Sequence, residues 1–284
     1  MRLCRYGKAG SEKPGMVDAE GRLRDLSGVV ANIGPEEISP EGLKKLSRVK
    51  PASLPLVSGS PRSGVPHAGI GKLVAIGLNY SDHAKEAGLP LPPEPIVFLK
   101  ANTCISGPNE DIVQPKNSTK LDWEVELGVV IGTRASYVGE AEALRHVAGY
   151  CIVNDVSERS FQMATSQWDK GKGFDTAGPI GPWLVTSDEV ADPQDLEMLL
   201  EVNGKRMQSG NTRTMVFGVA KIISHVSQYM TLLPGDVIAT GTPPGVGMGI
   251  KPSPVFLKPG DELHLAIAGL GEQRQKVVAW RGQQ

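Results

Sequence analysis

The sequence predicts an α+β fold that is mostly β, with a small N-terminal α/β domain ahead of a larger mixed β domain. Segments rich in β-branched residues outnumber the segments with helical spacing. These strand-like segments do not alternate regularly with helices, which argues against a Rossmann fold or a TIM barrel. The 284 residues include 34 Gly and 22 Pro, as expected where many turns connect many strands.

The small N-terminal domain and its linker are expected to span residues 1–70. MRLCRY and MVDAEGRLRDL have the composition of short strands, and residues 36–48 that of a short helix. Residues 51–70 are rich in Pro, Ser and Gly, which is typical of a domain boundary. Residues 71–284 are then expected to form the larger domain.

The larger domain is predicted to be built mainly from apolar strands. The expected strands are KLVAIGLNY, IVFLK, WEVELGVVI, HVAGYCIVNDV and PWLVT. Asn203-Gly204 is a strong signal for a two-residue hairpin turn. A short helix is expected in SDHAKEAG (81–88), and an amphipathic helix over 214–230, where apolar residues recur every three or four positions.

Composition and charge exclude several classes of protein. The formal net charge is −1, so no basic surface is available to attract nucleic acid or an acidic membrane. No apolar run reaches the length of a membrane span and MRLCRYGKAG lacks a signal-peptide core, so a cytoplasmic enzyme is expected. Cys4, Cys104 and Cys151 are far apart, which argues against a zinc ribbon or a disulfide framework.

The stretch LDWEVELGVVIG places Glu124 and Glu126 in an otherwise apolar strand. Residues two apart in a strand project from the same face, with Cα atoms roughly 6.5–7 Å apart. Two ionised carboxylates at that distance repel each other, and burial strengthens the repulsion. Either the face is solvated, or one carboxyl is protonated, or a cation lies between them.

A third carboxylate favours the cation. Asp155 ends the apolar run GYCIVND, and at the end of an adjacent strand it would complete a site made only of oxygen ligands. Such ligands select Mg²⁺, Mn²⁺ or Ca²⁺ over zinc. Three carboxylates leave about three positions of an octahedral site for water and a bidentate substrate such as a 2-oxo acid.

Three further polar clusters are candidates for chemistry. His83 and Glu86 lie three residues apart on the short helix, so they form either a water-activating pair or an exposed polar face. Lys172, between two glycines, could offset a developing oxyanion or belong to a flexible basic loop. The loop TGTPPGVGMG contains Thr242, whose hydroxyl and neighbouring amides could hold a carboxylate.

These stretches together resemble the fumarylacetoacetate hydrolase family over roughly residues 72–270. IGLNYSDHAKE, PIVFLK, DWEVELGVVIG, GYCIVNDVSER, KGKGFDTAGPIGPW and LLPGDVIATGTPPGVG occur in the family's order. The resemblance implies a mixed β-roll with a small N-terminal domain, assembled as a homodimer. It also implies that Glu124, Glu126 and Asp155 bind Mg²⁺ or Mn²⁺, and that His83 and Glu86 activate water.

The same resemblance assigns four more positions. Lys172 matches the lysine that stabilises the developing anion, and Thr242 the threonine of the carboxylate-binding loop. Arg159 and Gln162 match positions that line the substrate pocket. Glu158-Arg159-Ser160 stands where many members have Ala-Arg-Asp, a difference expected to alter the pocket wall and thus the substrate.

The expected activity is metal-dependent hydrolysis of a C–C bond in a 2,4-dioxo acid. RYG near the start and GLGEQRQKV near the end resemble a subgroup acting on 2,4-didehydro-3-deoxy-L-rhamnonate or L-fuconate, which gives pyruvate and L-lactate. Other members of the subgroup are ureidoglycolate lyases that release glyoxylate and urea. An oxaloacetate decarboxylase, which needs no water-activating pair, and a non-catalytic binding protein are the remaining alternatives.

Overall fold

The computed structural model describes residues 1–282. Its strands are β1 (Arg2–Tyr6), β2 (Lys13–Val17), β3 (Leu23–Asp25), β4 (Leu73–Gly77), β5 (Ile96–Lys100), β6 (Ile105–Ser106), β7 (Ile112–Gln114), β8 (Leu121–Asp122), β9 (Val125–Ile131), β10 (Val147–Asn154), β11 (Ser157–Glu158), β12 (Gly178–Thr186), β13 (Glu197–Val202), β14 (Lys205–Asn211), β15 (Val237–Ala239), β16 (Glu262–Ile267) and β17 (Gly271–Ala279). Its α-helices are α1 (Pro40–Leu46), α2 (Ser81–Ala87), α3 (Glu140–Ala143), α4 (Arg159–Gln162), α5 (Asp169–Lys172) and α6 (Val219–Ser227). The predicted α+β, mostly β class is confirmed.

A ten-stranded mixed sheet organises the molecule. Its order is β3-β2-β1-β12-β10-β9-β15-β4-β5, and β6 pairs with β12 beside this path. The β15–β4 and β12–β6 pairs are parallel, and the other pairs in this sheet are antiparallel. A five-stranded sheet of order β14-β13-β16-β17-β7 and the small β11–β8 pair complete the strand architecture.

Strands β9 and β10 lie in the middle of the large sheet. Every residue of both strands is buried, which explains their nearly continuous apolar sequences VELGVVI and VAGYCIVN. The two strands are antiparallel, with Glu126 paired to Val153 and Val125 to Asn154. Because the strands are antiparallel, the start of β9 lies beside the end of β10. The acidic residues lie at this end of the two strands.

The N-terminal strands extend the same sheet. Strand β1 pairs with β12, with Arg2 opposite Val185 and Leu3 opposite Leu184. Leu3 and Met16 are buried in the hydrophobic core that also contains the central strands. The division at residue 70 stays a prediction, and the last two residues of the predicted catalytic domain, 283–284, lie outside the described residues.

The predicted hairpin and short helix are confirmed. Asn203 and Gly204 have φ angles of 51° and 74°, the left-handed pair that a tight two-residue hairpin requires. Helix α2 is followed by Gly88, whose φ of 69° suits a glycine cap.

The longer helix starts later than predicted. It was expected over 214–230, but α6 begins at Val219 and ends at Ser227. The amides of Val216 and Phe217 donate to the backbone and side-chain oxygens of Asn79, and this anchors the preceding segment in a non-helical conformation. No helix within residues 1–282 combines the length and the apolar character needed to cross a membrane.

Candidate active site

The nine residues singled out from the sequence line one cavity of about 440 Å³. They are His83, Glu86, Glu124, Glu126, Asp155, Arg159, Gln162, Lys172 and Thr242. These residues come from α2, the start of β9 and the residue before it, the residue after β10, the two ends of α4, the end of α5 and the loop after β15. The fold thus brings together side chains that are far apart in the chain.

The acidic triad lies where β9 and β10 meet. Glu124, Glu126 and Asp155 each offer a carboxylate oxygen, and these oxygens all lie within 4.8 Å of one another. The Asp155 amide donates to the Glu124 carbonyl at 2.9 Å, which fixes the two strand ends side by side. All three side chains are buried, so the solvated face considered from the sequence is wrong.

Two cations hold Glu124 in its ionised form. Lys172 Nζ donates to Glu124 Oε2 at 2.6 Å and to Asp155 Oδ2 at 2.7 Å, while an Arg159 terminal nitrogen donates to Glu124 Oε1 at 2.6 Å. Burial alone would raise the pKa of Glu124, but Arg159 and Lys172 together hold it well below its usual value. Burial lowers the pKa of Lys172, but the charges of Asp155 and Glu124 raise it by more. The pKa of Lys172 therefore lies above its usual value.

Glu126 has a different environment. Its Oε2 accepts from the Gly241 amide at 2.9 Å. Burial, followed by the negative charges of Asp155 and Glu124, raises the pKa of Glu126 well above its usual value. A cation among the three carboxylates would remove this repulsion.

The donor set of the triad fits a hard divalent cation. Three carboxylate oxygens are the ligands that Mg²⁺ and Mn²⁺ prefer, and the adjacent cavity leaves room for water or substrate oxygens. Glu124, Glu126 and Asp155 would hold the ion.

Lys100 and Asp122 complete the charge network, and neither was identified from the sequence. The Lys100 ammonium is fully buried and forms an ion pair with Asp155 Oδ1. Asp122 accepts from Arg159 Nε at 2.8 Å and from the amides of Gly247 and Met248 at 2.7 and 3.0 Å. The signals were present: Lys100 ends an apolar strand, and Asp122 continues the alternation that places Glu124 on one face.

His83 and Glu86 form the predicted pair on α2. His83 Nδ1 lies 3.1 Å from Glu86 Oε2, and both side chains are partly buried. The Gly245 amide donates to both Glu86 oxygens, at 3.0 and 3.1 Å, so the carboxylate is fixed between the helix and the glycine loop. This contact leaves His83 Nε2 as the ring nitrogen available to take a proton.

Thr242 is buried, and its hydroxyl is already in use. It donates to the Val125 carbonyl at 2.9 Å and accepts from Gln208 Nε2 at 2.8 Å. In this arrangement the hydroxyl has no proton left for a substrate carboxylate. Gln208 was not identified from the sequence, because a single Gln in a hairpin strand gives no chemical signal.

Glu158 does not line the cavity, contrary to the expectation that it alters the pocket wall. Its buried carboxylate accepts from the amides of Thr119, Lys120 and Phe161 and from the Ser160 hydroxyl. It therefore caps the turn that carries Arg159 and ties this turn to the preceding loop. Any effect of Glu158 on the substrate is indirect.

Comparison with known proteins identifies relatives along most of the chain. The family described as fumarylacetoacetate (FAA) hydrolase C-terminal matches residues 72–278. A protein of Burkholderia ambifaria that carries a provisional hydrolase name is 62% identical over 276 residues, 97% of this chain and 98% of its own length.

Two solved structures are similar over almost the whole chain. A fumarylacetoacetate hydrolase from psychrophilic Exiguobacterium antarcticum is 35% identical with a TM-score of 0.88, covering 99% of this chain and 100% of that one. The maleylpyruvate hydrolase of Sphingobium sp. SYK-6 is 29% identical with a TM-score of 0.82, at the same coverage. That enzyme was solved in complex with manganese(II) and pyruvate.

Proposed function

Because the chain belongs to the fumarylacetoacetate hydrolase family, we propose that it is a divalent-metal-dependent hydrolase that cleaves a C–C bond of a 2,4-dioxo acid. One observation carries the proposal. A buried carboxylate triad, the Lys172 ammonium and the His83–Glu86 pair line the same cavity. The manganese and pyruvate bound to the Sphingobium maleylpyruvate hydrolase support the same chemistry.

The side chains divide the reaction between them. Held through Nδ1 by Glu86, His83 takes a proton from water at Nε2, and the resulting hydroxide adds to the C4 carbonyl carbon. The C3–C4 bond then breaks, and its electron pair stays on C3 as the pyruvate enolate. Lys172 stabilises this negative charge. A proton returned to C3 gives pyruvate, and C4 leaves in a carboxylic acid.

The metal would be Mg²⁺ or Mn²⁺, held by Glu124, Glu126 and Asp155. When bound, it supplies Lewis acidity toward the carboxylate and 2-oxo oxygens of the substrate. Arg159 orients the triad, because it binds Glu124 and is itself held by Asp122.

The proposed substrate is 2,4-didehydro-3-deoxy-L-rhamnonate or L-fuconate, cleaved to pyruvate and L-lactate. We propose that the enzyme acts in the cytoplasm as a homodimer. The principal alternative is a ureidoglycolate lyase, whose substrate also presents an α-oxygenated carboxylate. The His83–Glu86 pair favours hydrolysis over decarboxylation of oxaloacetate, because decarboxylation needs no activated water.

Product analysis tests the proposal. Purified protein with Mg²⁺ or Mn²⁺ is given 2,4-didehydro-3-deoxy-L-rhamnonate, ureidoglycolate or oxaloacetate in separate reactions. We expect pyruvate and lactate from the first and no urea from the second. Urea as the sole product would make the protein a lyase and reject the proposed substrate.

Two substitutions assign the roles. Glu126→Gln should weaken metal binding, measured by calorimetry, and abolish hydrolysis, whereas the exposed control Glu142→Gln should do neither. His83→Ala should reduce hydrolysis about 10²- to 10⁴-fold while sparing any decarboxylation of oxaloacetate. Full activity of metal-stripped Glu126→Gln would refute the role of the metal.

A further inference from the structure

The cavity has two unlike walls. Arg159 and Lys172 join the acidic triad in one charged network, and Glu86 and Lys251 are further charged residues of the lining. Much of the remaining lining is apolar, including Ile76, Leu78, Ile96, Phe98, Met163 and Trp168. Building on the proposed function, we propose that this apolar wall selects 2,4-dioxo acids whose group beyond C4 is uncharged. It discriminates against those that end in a second carboxylate.

The apolar wall begins beside the catalytic lysine. Lys172 Nζ lies 5.4 Å from the centroid of the Phe98 ring, and Trp168 packs edge-on against Phe98 with ring centroids 5.4 Å apart. Trp168 also covers Gly77, where an added Cβ would lie 2.6 Å from the indole. The indole is thus fixed between two strands, and it extends the wall away from Lys172.

Strand β5 supplies both walls through its alternation. Ile96, Phe98 and Lys100 project from one face of the strand. Lys100 reaches Asp155 in the charged network, whereas Ile96 and Phe98 line the cavity. Charged and apolar parts of the cavity lining therefore lie along one strand, with the apolar part next to the charged network.

Leu78 strengthens the assignment. Its φ of 50° is in the left-handed region, which a branched, non-glycine residue seldom adopts. A leucine held there lines the cavity between β4 and α2, where glycine would relieve the backbone strain. An apolar side chain at this point is consistent with contact to an apolar part of the ligand.

A second substrate carboxylate placed on this wall would lose its hydration without meeting a free, buried cation. Among the described residues, the lysine and arginine side chains that line the cavity are Arg159, Lys172 and Lys251. Arg159 and Lys172 each bind two carboxylates, and Lys251 is exposed. A carboxylate placed against Phe98 and Trp168 would lose water without gaining a buried cation, which is costly.

A substrate series tests the proposal. The metal-loaded enzyme is assayed for pyruvate release from 2,4-dioxopentanoate, 2,4-dioxohexanoate and 2,4-dioxoheptanedioate, of which only the last carries a second carboxylate. We expect kcat/KM for the two neutral-tailed acids to exceed that for the diacid by about 10-fold or more. A kcat/KM for the diacid that equals or exceeds those of the neutral-tailed acids overturns the proposal. If the enzyme prefers the diacid and Lys251→Met removes this preference, Lys251 is the residue that binds the second carboxylate.

Matched variants locate the discrimination. Ile96→Lys should raise the diacid's kcat/KM relative to that of 2,4-dioxohexanoate by about 10-fold, because it places a cation on the apolar wall. Leu99→Lys is the control, since Leu99 is exposed on the same strand and does not line the cavity. An unchanged ratio in Ile96→Lys, or an equal change in Leu99→Lys, would contradict the assignment.

Binding separates this proposal from the proposed function. Dissociation constants are measured calorimetrically for 2-oxohexanoate and 2-oxohexanedioate, which lack the C4 carbonyl and are not cleaved. If no dioxo acid is cleaved but 2-oxohexanoate binds about 10-fold more tightly than 2-oxohexanedioate, the hydrolase assignment fails and the proposed selectivity of the apolar wall is upheld. If dioxo acids are cleaved but the diacid analogue binds equally well, the hydrolase stands and the wall has no such role.

Discussion

His67 shows how a single buried residue links stability to pH. Its side chain is 1% exposed, Nε2 lies 2.9 Å from the Gly235 carbonyl, and Nδ1 has no partner among the described residues. Burial lowers the pKa of His67 from 6.5 to about 4. The unfolded chain therefore binds more protons than the folded protein between these values, and stability is lost as the pH falls through that window.

We expect His67 to account for about 2–3 kcal/mol of the stability lost between pH 7.5 and 4.5. His67→Gln keeps a donor for Gly235 but cannot titrate. Urea unfolding of both proteins at the two pH values measures the difference. The same pH dependence in both would show that His67 does not become charged on unfolding in this range.

Sequence spacing identified the site residues whose geometry is local. Glu124 and Glu126 share a face because they are two apart in a strand, and His83 meets Glu86 because they are three apart in a helix. Lys100 ends an apolar strand, but its partner Asp155 is 55 residues away, and only the packed sheet shows that the two side chains meet. The hydrogen bonds that occupy the Thr242 hydroxyl could not be predicted for the same reason, since Val125 and Gln208 are also far from it in sequence.

Among the elements, β10 and β12 approach each other unusually closely. A Cβ added at Gly149 would lie 2.2 Å from the Val185 carbonyl oxygen. Gly139, at the start of α3, has nothing within 4 Å of its added Cβ. A side chain is thus excluded at one glycine and tolerated at the other.

Gly149→Ala should destabilise the protein by about 1–3 kcal/mol, because the strands must separate to admit the methyl group. Gly139→Ala should change stability by less than about 0.5 kcal/mol. Urea unfolding at neutral pH measures both. If Gly149→Ala is as stable as Gly139→Ala, the sheet accommodates the methyl group at Gly149 without loss of stability.

Element types were more predictable than element limits. The Asn203-Gly204 turn was evident because its left-handed backbone demands those residues. Helix α6 was placed too early, since residues 214–218 have helical periodicity but are held in another conformation by Asn79, far away in sequence.

At the scale of the whole molecule, one core joins the N-terminal strands to the catalytic ones. Leu3 is fully buried in this core, and its strand pairs with β12. The order of strands in the sheet was beyond the sequence, because hydrophobic periodicity indicates that a strand is buried but not which strand lies beside it. The resemblance to a known family implied a mixed β-roll with a small N-terminal domain, but it did not give the strand order.

Leu3→Ala should destabilise the entire protein by about 2–5 kcal/mol. The exposed Leu56→Ala is the control and should be nearly neutral. Far-UV circular dichroism and residual hydrolase activity, followed through urea unfolding, should shift together. An early transition that leaves activity intact would instead show that residues 1–70 unfold independently.

Strand β1 leaves the ribosome long before its partner β12 has been synthesised. Met1 and Thr186, which join the two strands at their ends, are 185 residues apart. During most of synthesis β1 can pair only with β2, and the strand edge and apolar face that later meet β12 remain uncovered. Uncovered strand edges and apolar faces make an incomplete chain prone to aggregation, so the stretch of synthesis between β2 and β12 is when this protein is most exposed to it.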